Sequence, residues 1–196
     1  QFLNEEDLTN DCLNFLRVDG MPVRAARLFL GNEYKIWARK LAQHYGKPYE
    51  THRNVAFDPG IHQQLQSLTE PVFQWESIRR PGEATRRSME TPLSRFGSYE
   101  AAYHQLMREL AQAQCQSLKR AQGQSDIRKL YIDGGFVDNA LFLRYLAEAL
   151  PGYSITTTES PLGSALGAAM AIHNRVVDPE FILDHFSPQL QKPITT

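Results

Sequence analysis

Leu130-Tyr131-Ile132-Asp133-Gly134-Gly135-Phe136-Val137-Asp138-Asn139 is the stretch on which the reading of this chain turns. Its first three residues form a short apolar strand, and Asp133-Gly134-Gly135 forms a turn. The residues from Asp138 to Leu150 have helical periodicity and stop at Pro151-Gly152. A second, β-branched strand follows from Tyr153 to Thr158. Strand, helix and strand in quick succession predict an α/β fold. Two glycines between strand and helix let a ligand approach the backbone, and the helix start adds free N–H groups and a positive dipole end. Such a site suits a phosphate or a nucleotide. The alternative is a tight turn that needs a positive φ and holds no ligand. The motif is neither GxGxxG nor a Walker A loop. Asp133 at the strand end could hold a metal–phosphate or fix the loop by hydrogen bonds, and the second role is the favoured one.

Working outward, Ser160-Pro161-Leu162-Gly163-Ser164-Ala165-Leu166-Gly167-Ala168-Ala169-Met170-Ala171 opens a small-residue helix expected to reach Ile172. Gly163, Gly167 and Ala171 share one face. Each glycine inside a helix costs about 1 kcal/mol against alanine, so close packing must offset it. A last short helix is expected near Pro179 to Phe186. Upstream, Ser98 caps the longest helix, about Tyr99 to Ala121, with a buried stripe of Ala102, Tyr103, Leu106, Leu110, Ala113 and Leu118 and a stop at Gly123. Asn4 to Leu16 reads as a helix capped by Asn4. Val18-Asp19-Gly20-Met21 reads as a hairpin turn between two extended runs, the second ending in Arg27-Leu28-Phe29-Leu30. After Gly31, a helix from Asn32 to Tyr45 carries Tyr34, Trp37, Ala38, Leu41 and Tyr45 on one face, as core or interface, and stops at Gly46 and Pro48. Asp58 and Pro59 open a short helix to about Leu68, and Pro71 to Trp75 reads as a brief strand.

Residues 76–97 lack periodicity and read as a long loop. Its arginines (Arg79, Arg80, Arg86, Arg87 and Arg95) could take an anion, but Glu76, Glu83 and Glu90 interleave with them, so a solvated loop is the plainer reading. With 21 Lys plus Arg against 22 Asp plus Glu, the net charge of −1 gives no general pull on nucleic acid or anionic membrane. No apolar run approaches the ~18 residues of a membrane span. The two cysteines, Cys12 and Cys115, fall on segments read as helices and argue for a reducing, cytoplasmic setting. The six histidines form no HExxH or HxxxH pair, so no metal site built by the protein is expected. The chain opens on Gln1, not Met, and reads as part of something longer.

Ile132-Asp133-Gly134-Gly135, then Asn139, a helix, and Leu166-Gly167-Ala168-Ala169 about thirty residues on resemble the C-terminal end of FGGY-family carbohydrate kinases. Leu28-Phe29-Leu30-Gly31-Asn32-Glu33-Tyr34 resembles a strand-to-helix step of the same lobe, closest to rhamnulokinase-like members. The resemblance implies an actin-like ATPase (RNase H-like) fold, with residues 1–196 forming a single C-terminal, nucleotide-binding lobe and a sugar-binding N-terminal lobe lying outside this chain. It implies transfer of the γ-phosphoryl of Mg-ATP to a sugar hydroxyl, with Mg²⁺ carried by the nucleotide phosphates. By position, the backbone of Gly134 and Gly135 would approach ATP or ADP, Phe136 would sit beside the adenine, and Asn139 would hydrogen-bond the base or ribose. Gly31 and Asn32 would line the phosphate side. The helix carrying Gly163 and Gly167 would brace the pocket from behind.

The family's general-base Asp, most sugar contacts and the phosphate-binding Gly-Thr loop have no counterpart here. Phosphoryl transfer depends on positioning across a cleft. The chain alone is therefore expected to be inactive, with the sugar held mainly by the other lobe and a homodimer possible. Two alternatives stand beside this reading. One is a non-catalytic nucleotide-binding or oligomerisation module of the same superfamily. The other is a Rossmann-like domain, which would want GxGxxG and an acidic residue about 20 positions on.

Overall fold

The computed structural model describes residues 2–17, 20–78, 92–158 and Ala168. The expected helix from 161 to 172 and the short one from 179 to 186 lie outside the described residues, except that Ala168 is helical. The described elements mix helices and strands, as an α/β fold would, and alternate from β3 on. In order they are α1 (Glu5–Thr9), β1 (Cys12–Leu16), β2 (Pro22–Ala26), α2 (Leu30–His44), α3 (Pro59–Leu65), α4 (Tyr99–Gln122), β3 (Lys129–Ile132), α5 (Ala140–Ala149) and β4 (Ser154–Thr157).

The first departure from expectation is at the start. The helix expected from Asn4 to Leu16 is only five residues long. Its capping box forms as anticipated, with Asn4 Oδ1 accepting from the Asp7 N–H at 2.7 Å and Asp7 accepting from the Asn4 N–H at 3.1 Å. At Asp11 the backbone turns left-handed, with φ 59°, which ends the helix. Arg27 holds that residue with two bonds to its carboxylate, at 3.0 and 2.7 Å. The rest of the expected helix becomes β1, so Cys12 sits on a strand and not on a helix. β1 and β2 form the antiparallel hairpin that the Asp-Gly turn predicted, with Leu13 opposite Ala25 and Phe15 opposite Val23. Pairing with the strand beyond the turn overrides a weak local helix preference.

β3, α5 and β4 form a β–α–β unit, its strands parallel with Leu130 opposite Ile155 and Ile132 opposite Thr157. α4 is the central element. Over its first three turns it is buried on nearly every side, against α5, α2 and α3. Leu106, Met107 and Leu110 are fully buried there, beside Phe142 and Leu146 of α5 and Leu41 of α2. Of the expected stripe on α4, Ala113 and Leu118 are only half-buried. Ser98 caps α4 by accepting from the Ala101 N–H at 3.1 Å, and Gly123 ends it at φ 57°. Asp58 caps α3 as predicted, taking the N–H groups of Gly60 and Ile61, but the helix closes at Leu65, short of Leu68. α2 starts two residues earlier than expected, at Leu30, so Gly31 lies inside its first turn instead of marking a stop before it.

Pro71 to Trp75 is irregular and pairs with no strand among the described residues. The reason is side-chain chemistry. The buried carboxylate of Glu109 on α4 accepts the N–H groups of Val72 (2.7 Å) and Phe73 (3.2 Å), which a ladder would otherwise use. The buried Glu33 of α2 does the same for Glu76 (3.1 Å) and for the backbone N–H of Ser77. Of the long loop expected over 76–97, residues 79–91 lie outside the described residues and Leu93–Arg95 forms a 3₁₀ turn. Cys12 and Cys115 are both buried and free. No helix among the described residues is long and apolar enough to cross a membrane.

Candidate functional site

In open α/β sheets, ligands gather beyond the carboxyl ends of parallel strands. The Gly-Gly turn occupies that position, following β3 directly. The turn closes on itself through the Val137 N–H to the Gly134 carbonyl (3.2 Å) and the Asn139 N–H to the Phe136 carbonyl (3.1 Å). Asp133 acts as expected of a loop-fixing carboxylate, accepting a hydrogen bond from Thr158 Oγ1 at the end of β4 at 2.8 Å.

The two glycines differ in what the backbone asks of them. Gly134 has φ +89°, a conformation L side chains rarely adopt. Gly135 has no such φ, and a Cβ built on it meets no heavy atom within 4 Å. The described fold therefore explains Gly134 and leaves Gly135 without a structural need. Closeness to a ligand is a reason for a glycine there.

Asn139 is the N-cap of α5, which begins two residues later than expected. Its Oδ1 accepts from the Phe142 N–H at 2.9 Å, and its Nδ2 donates to the Tyr103 hydroxyl at 3.0 Å. Both ends of the amide thus have partners inside the chain. Phe136 is half-buried, its ring 4.4 Å from that of Phe142 and 5.3 Å from that of Tyr34. Gly31 and Asn32 are exposed in the first turn of α2. What joins α2 to the Gly-Gly turn is Tyr34, just beyond them on the same helix. Its ring packs on Phe136 and its hydroxyl lies 3.2 Å from that of Tyr103. Burial raises the Tyr34 phenol above its ordinary value, so it stays protonated at neutral pH.

Sequence reasoning placed Tyr103 in a buried stripe and Tyr34 in the core or an interface, without showing that their hydroxyls meet at the turn. It also missed His52, whose ring lies edge-on to Tyr34 at 5.7 Å. The available signal was Tyr103 itself, since a tyrosine in the middle of a buried stripe must find a partner for its hydroxyl. The described chain also has an open cleft of about 430 Å³ between α1, the 71–78 segment and α4, and a second of about 720 Å³ beside Trp37 and Pro92. Neither is lined by a residue of the Gly-Gly turn, which stands at the surface. Among the described residues, no group of three or more His, Cys, Asp or Glu side chains is placed to hold a metal ion.

The family model of the carbohydrate kinase FGGY C-terminal domain matches residues 3–179. The chain belongs to the FGGY carbohydrate kinases. The matched FGGY domain takes in the hairpin, the β–α–β unit and the turn between its first strand and helix. Among solved structures the chain is similar to a carbohydrate kinase from Novosphingobium aromaticivorans, at 14% identity and a TM-score of 0.49, over 88% of this chain and 35% of that one. The chain thus spans about a third of the length of that kinase. No curated protein matches it.

Proposed function

We propose that this FGGY domain is the nucleotide-binding part of an ATP-dependent carbohydrate kinase, with an actin-like core and of the rhamnulokinase-like group, working in the cytoplasm. The observation that carries the reading is Gly135. It sits where α/β folds bind ligands, inside a family-matched domain, and nothing among the described residues requires its lack of a side chain. Adenine nucleotide fits there: the backbone at Gly134 and Gly135 can be approached closely, and the ring of Phe136 stands next to it, held by Tyr34 and Phe142. Asn139 fixes the far end of the turn. Its bonds to Tyr103 and Phe142 use one N–H and one lone pair of the amide, and the second N–H, 3.4 Å from Met107 Sδ, and the second lone pair are what it has to offer base or ribose.

When bound, Mg-ATP supplies the γ-phosphoryl group for a sugar hydroxyl, its metal carried by the phosphates. This chain's part is to hold and orient the adenosine end, with Gly31 and Asn32 on the phosphate side. In this reading the base that takes the sugar's proton and most sugar contacts belong to the other lobe. Phosphoryl transfer needs both substrates held in line. The chain by itself should then bind nucleotide without turning it over.

Calorimetric titration with ATP and ADP, with and without Mg²⁺, tests this. Binding is expected, and Gly135→Val should abolish it while the circular dichroism spectrum stays that of the wild type. Nucleotide binding undisturbed by Gly135→Val would move the site elsewhere. Robust sugar-dependent ATP turnover by the chain alone would overturn the division of labour.

A further inference from the structure

We propose that Tyr103 is a positioning residue: its hydroxyl, reached from α4, locks the Gly-Gly turn against α2. The importance of that lock for ligand binding rests on the nucleotide reading above. Tyr103 is 1% exposed, so it has no surface with which to touch a ligand. A buried hydroxyl must be bonded or it destabilises the fold. Here both of its partners border the turn. Asn139 Nδ2 can only donate, so the Tyr103 oxygen accepts there, at 3.0 Å. That leaves the Tyr103 proton for the Tyr34 oxygen, 3.2 Å away. Burial keeps this phenol protonated well beyond its usual range, so the donor is always present.

The consequence is geometric. Asn139 closes the turn and caps α5 through the Phe142 N–H. Tyr34 supports the Phe136 ring. A single oxygen on the most buried helix therefore fixes the end of the turn and one of the rings that its middle rests on. The turn stands at the surface, yet it is tied to the interior at this point.

Two variants of the full chain isolate the hydroxyl. Tyr103→Phe keeps the ring and its stacking on Tyr99. Asn139→Ser keeps a capping oxygen but is too short to reach Tyr103. The readouts are amide hydrogen exchange at Val137 and at position 139, whose N–H groups close the turn, with Leu110 of α4 as internal control, and ADP titration. Each variant should speed exchange at the turn on the order of tenfold with Leu110 unchanged, and the double variant should go no further than either one. ADP affinity should fall in parallel, by about threefold to tenfold. Unchanged exchange at the turn in Tyr103→Phe, or effects that multiply in the double variant, would overturn the lock. If exchange behaves as expected while the wild type binds no ADP, the lock stands and the nucleotide reading falls. If the wild type binds ADP and neither exchange nor affinity responds to Tyr103→Phe, the nucleotide reading stands and the lock falls.

Discussion

The Gly-Gly turn and the segment at residues 71–78 are both irregular, and both are tied to α4 and α2, but by different chemistry. The turn is held by neutral groups, the amide of Asn139 and the hydroxyls of Tyr103 and Tyr34. The segment is held by two buried carboxylates, Glu109 on Val72 and Phe73, and Glu33 on Glu76 and Ser77. Removing one member of the neutral network breaks one or two ordinary bonds. A buried carboxylate that gathers several N–H groups strands all of them at once. The two regions should therefore fail very differently under mutation, and they differ equally in how far a sequence can reveal them.

The largest effect expected is at Glu109. Glu109→Ala leaves the N–H groups of Val72 and Phe73 and the Gln105 amide without their acceptor in a dry interior, which should cost about 3 to 5 kcal/mol. Glu109→Gln keeps one acceptor oxygen and should recover roughly half of that. Urea unfolding, read as a shift in midpoint at constant slope, measures both. A loss below about 1 kcal/mol in Glu109→Ala would erase the contrast between the regions.

Asn139→Ala comes next. It removes the cap of α5 and the bond to Tyr103 together, for a loss of about 2 kcal/mol in the same assay. Tyr103→Phe removes the bonds to Asn139 and Tyr34 but leaves the helix cap in place, and should cost about 1 to 1.5 kcal/mol. That order, carboxylate above cap above single hydroxyl, is the comparison in energetic form.

What the sequence revealed follows the same divide. The caps at Ser98 and Asp58, the stops at Gly46 and Gly123, the Asp-Gly hairpin and the β–α–β unit are each written within a few neighbouring residues, and each formed. Gly134, Gly135, Phe136 and Asn139 came together in one turn for the same reason. The segment at 71–75 was read as a strand because its residues suit one. Nothing local shows that Glu109, some 36 positions away, takes the place of a neighbouring strand. The failure at Asn4 to Leu16 is of the same kind, since Arg27 and the β2 ladder decide where α1 stops. The tyrosine lock joins residues 34, 103 and 139, and no spacing rule connects them.

A finer test lies within the turn. Gly134→Ala forces a side chain into a positive-φ conformation and should cost about 1 to 2 kcal/mol. Gly135→Ala meets no steric obstacle in the fold and should stay within about 0.5 kcal/mol of wild type. If the nucleotide reading is right, Gly135→Ala should still weaken ATP binding. Thermal unfolding and titration of the pair would thus separate a glycine needed by the backbone from one needed by a ligand.

The smallest effect concerns pH and belongs to the neutral side of the comparison. His104 on α4 is fully buried, with Nε2 3.1 Å from the Ala56 carbonyl and Nδ1 2.9 Å from the Tyr145 hydroxyl. Nε2 must carry the proton, and Nδ1 then accepts from Tyr145. Burial lowers the His104 pKa, outweighing the Ala56 carbonyl and the charges of Asp58 and Glu100, which act the other way; His62 adds to the lowering. Below the ordinary histidine value of about 6.5 the unfolded chain takes up a proton that the folded chain refuses. Stability should therefore rise with pH through this window. It should fall as the solution is acidified from about pH 6.5 until the folded imidazole itself protonates. His104→Gln should flatten that part of the profile of unfolding midpoint against pH, whatever it does to the midpoint at neutral pH. The carboxylate-held segment has no share in this histidine, so a wild-type profile equally steep in His104→Gln would place the acid sensitivity outside the α4–α5 interior.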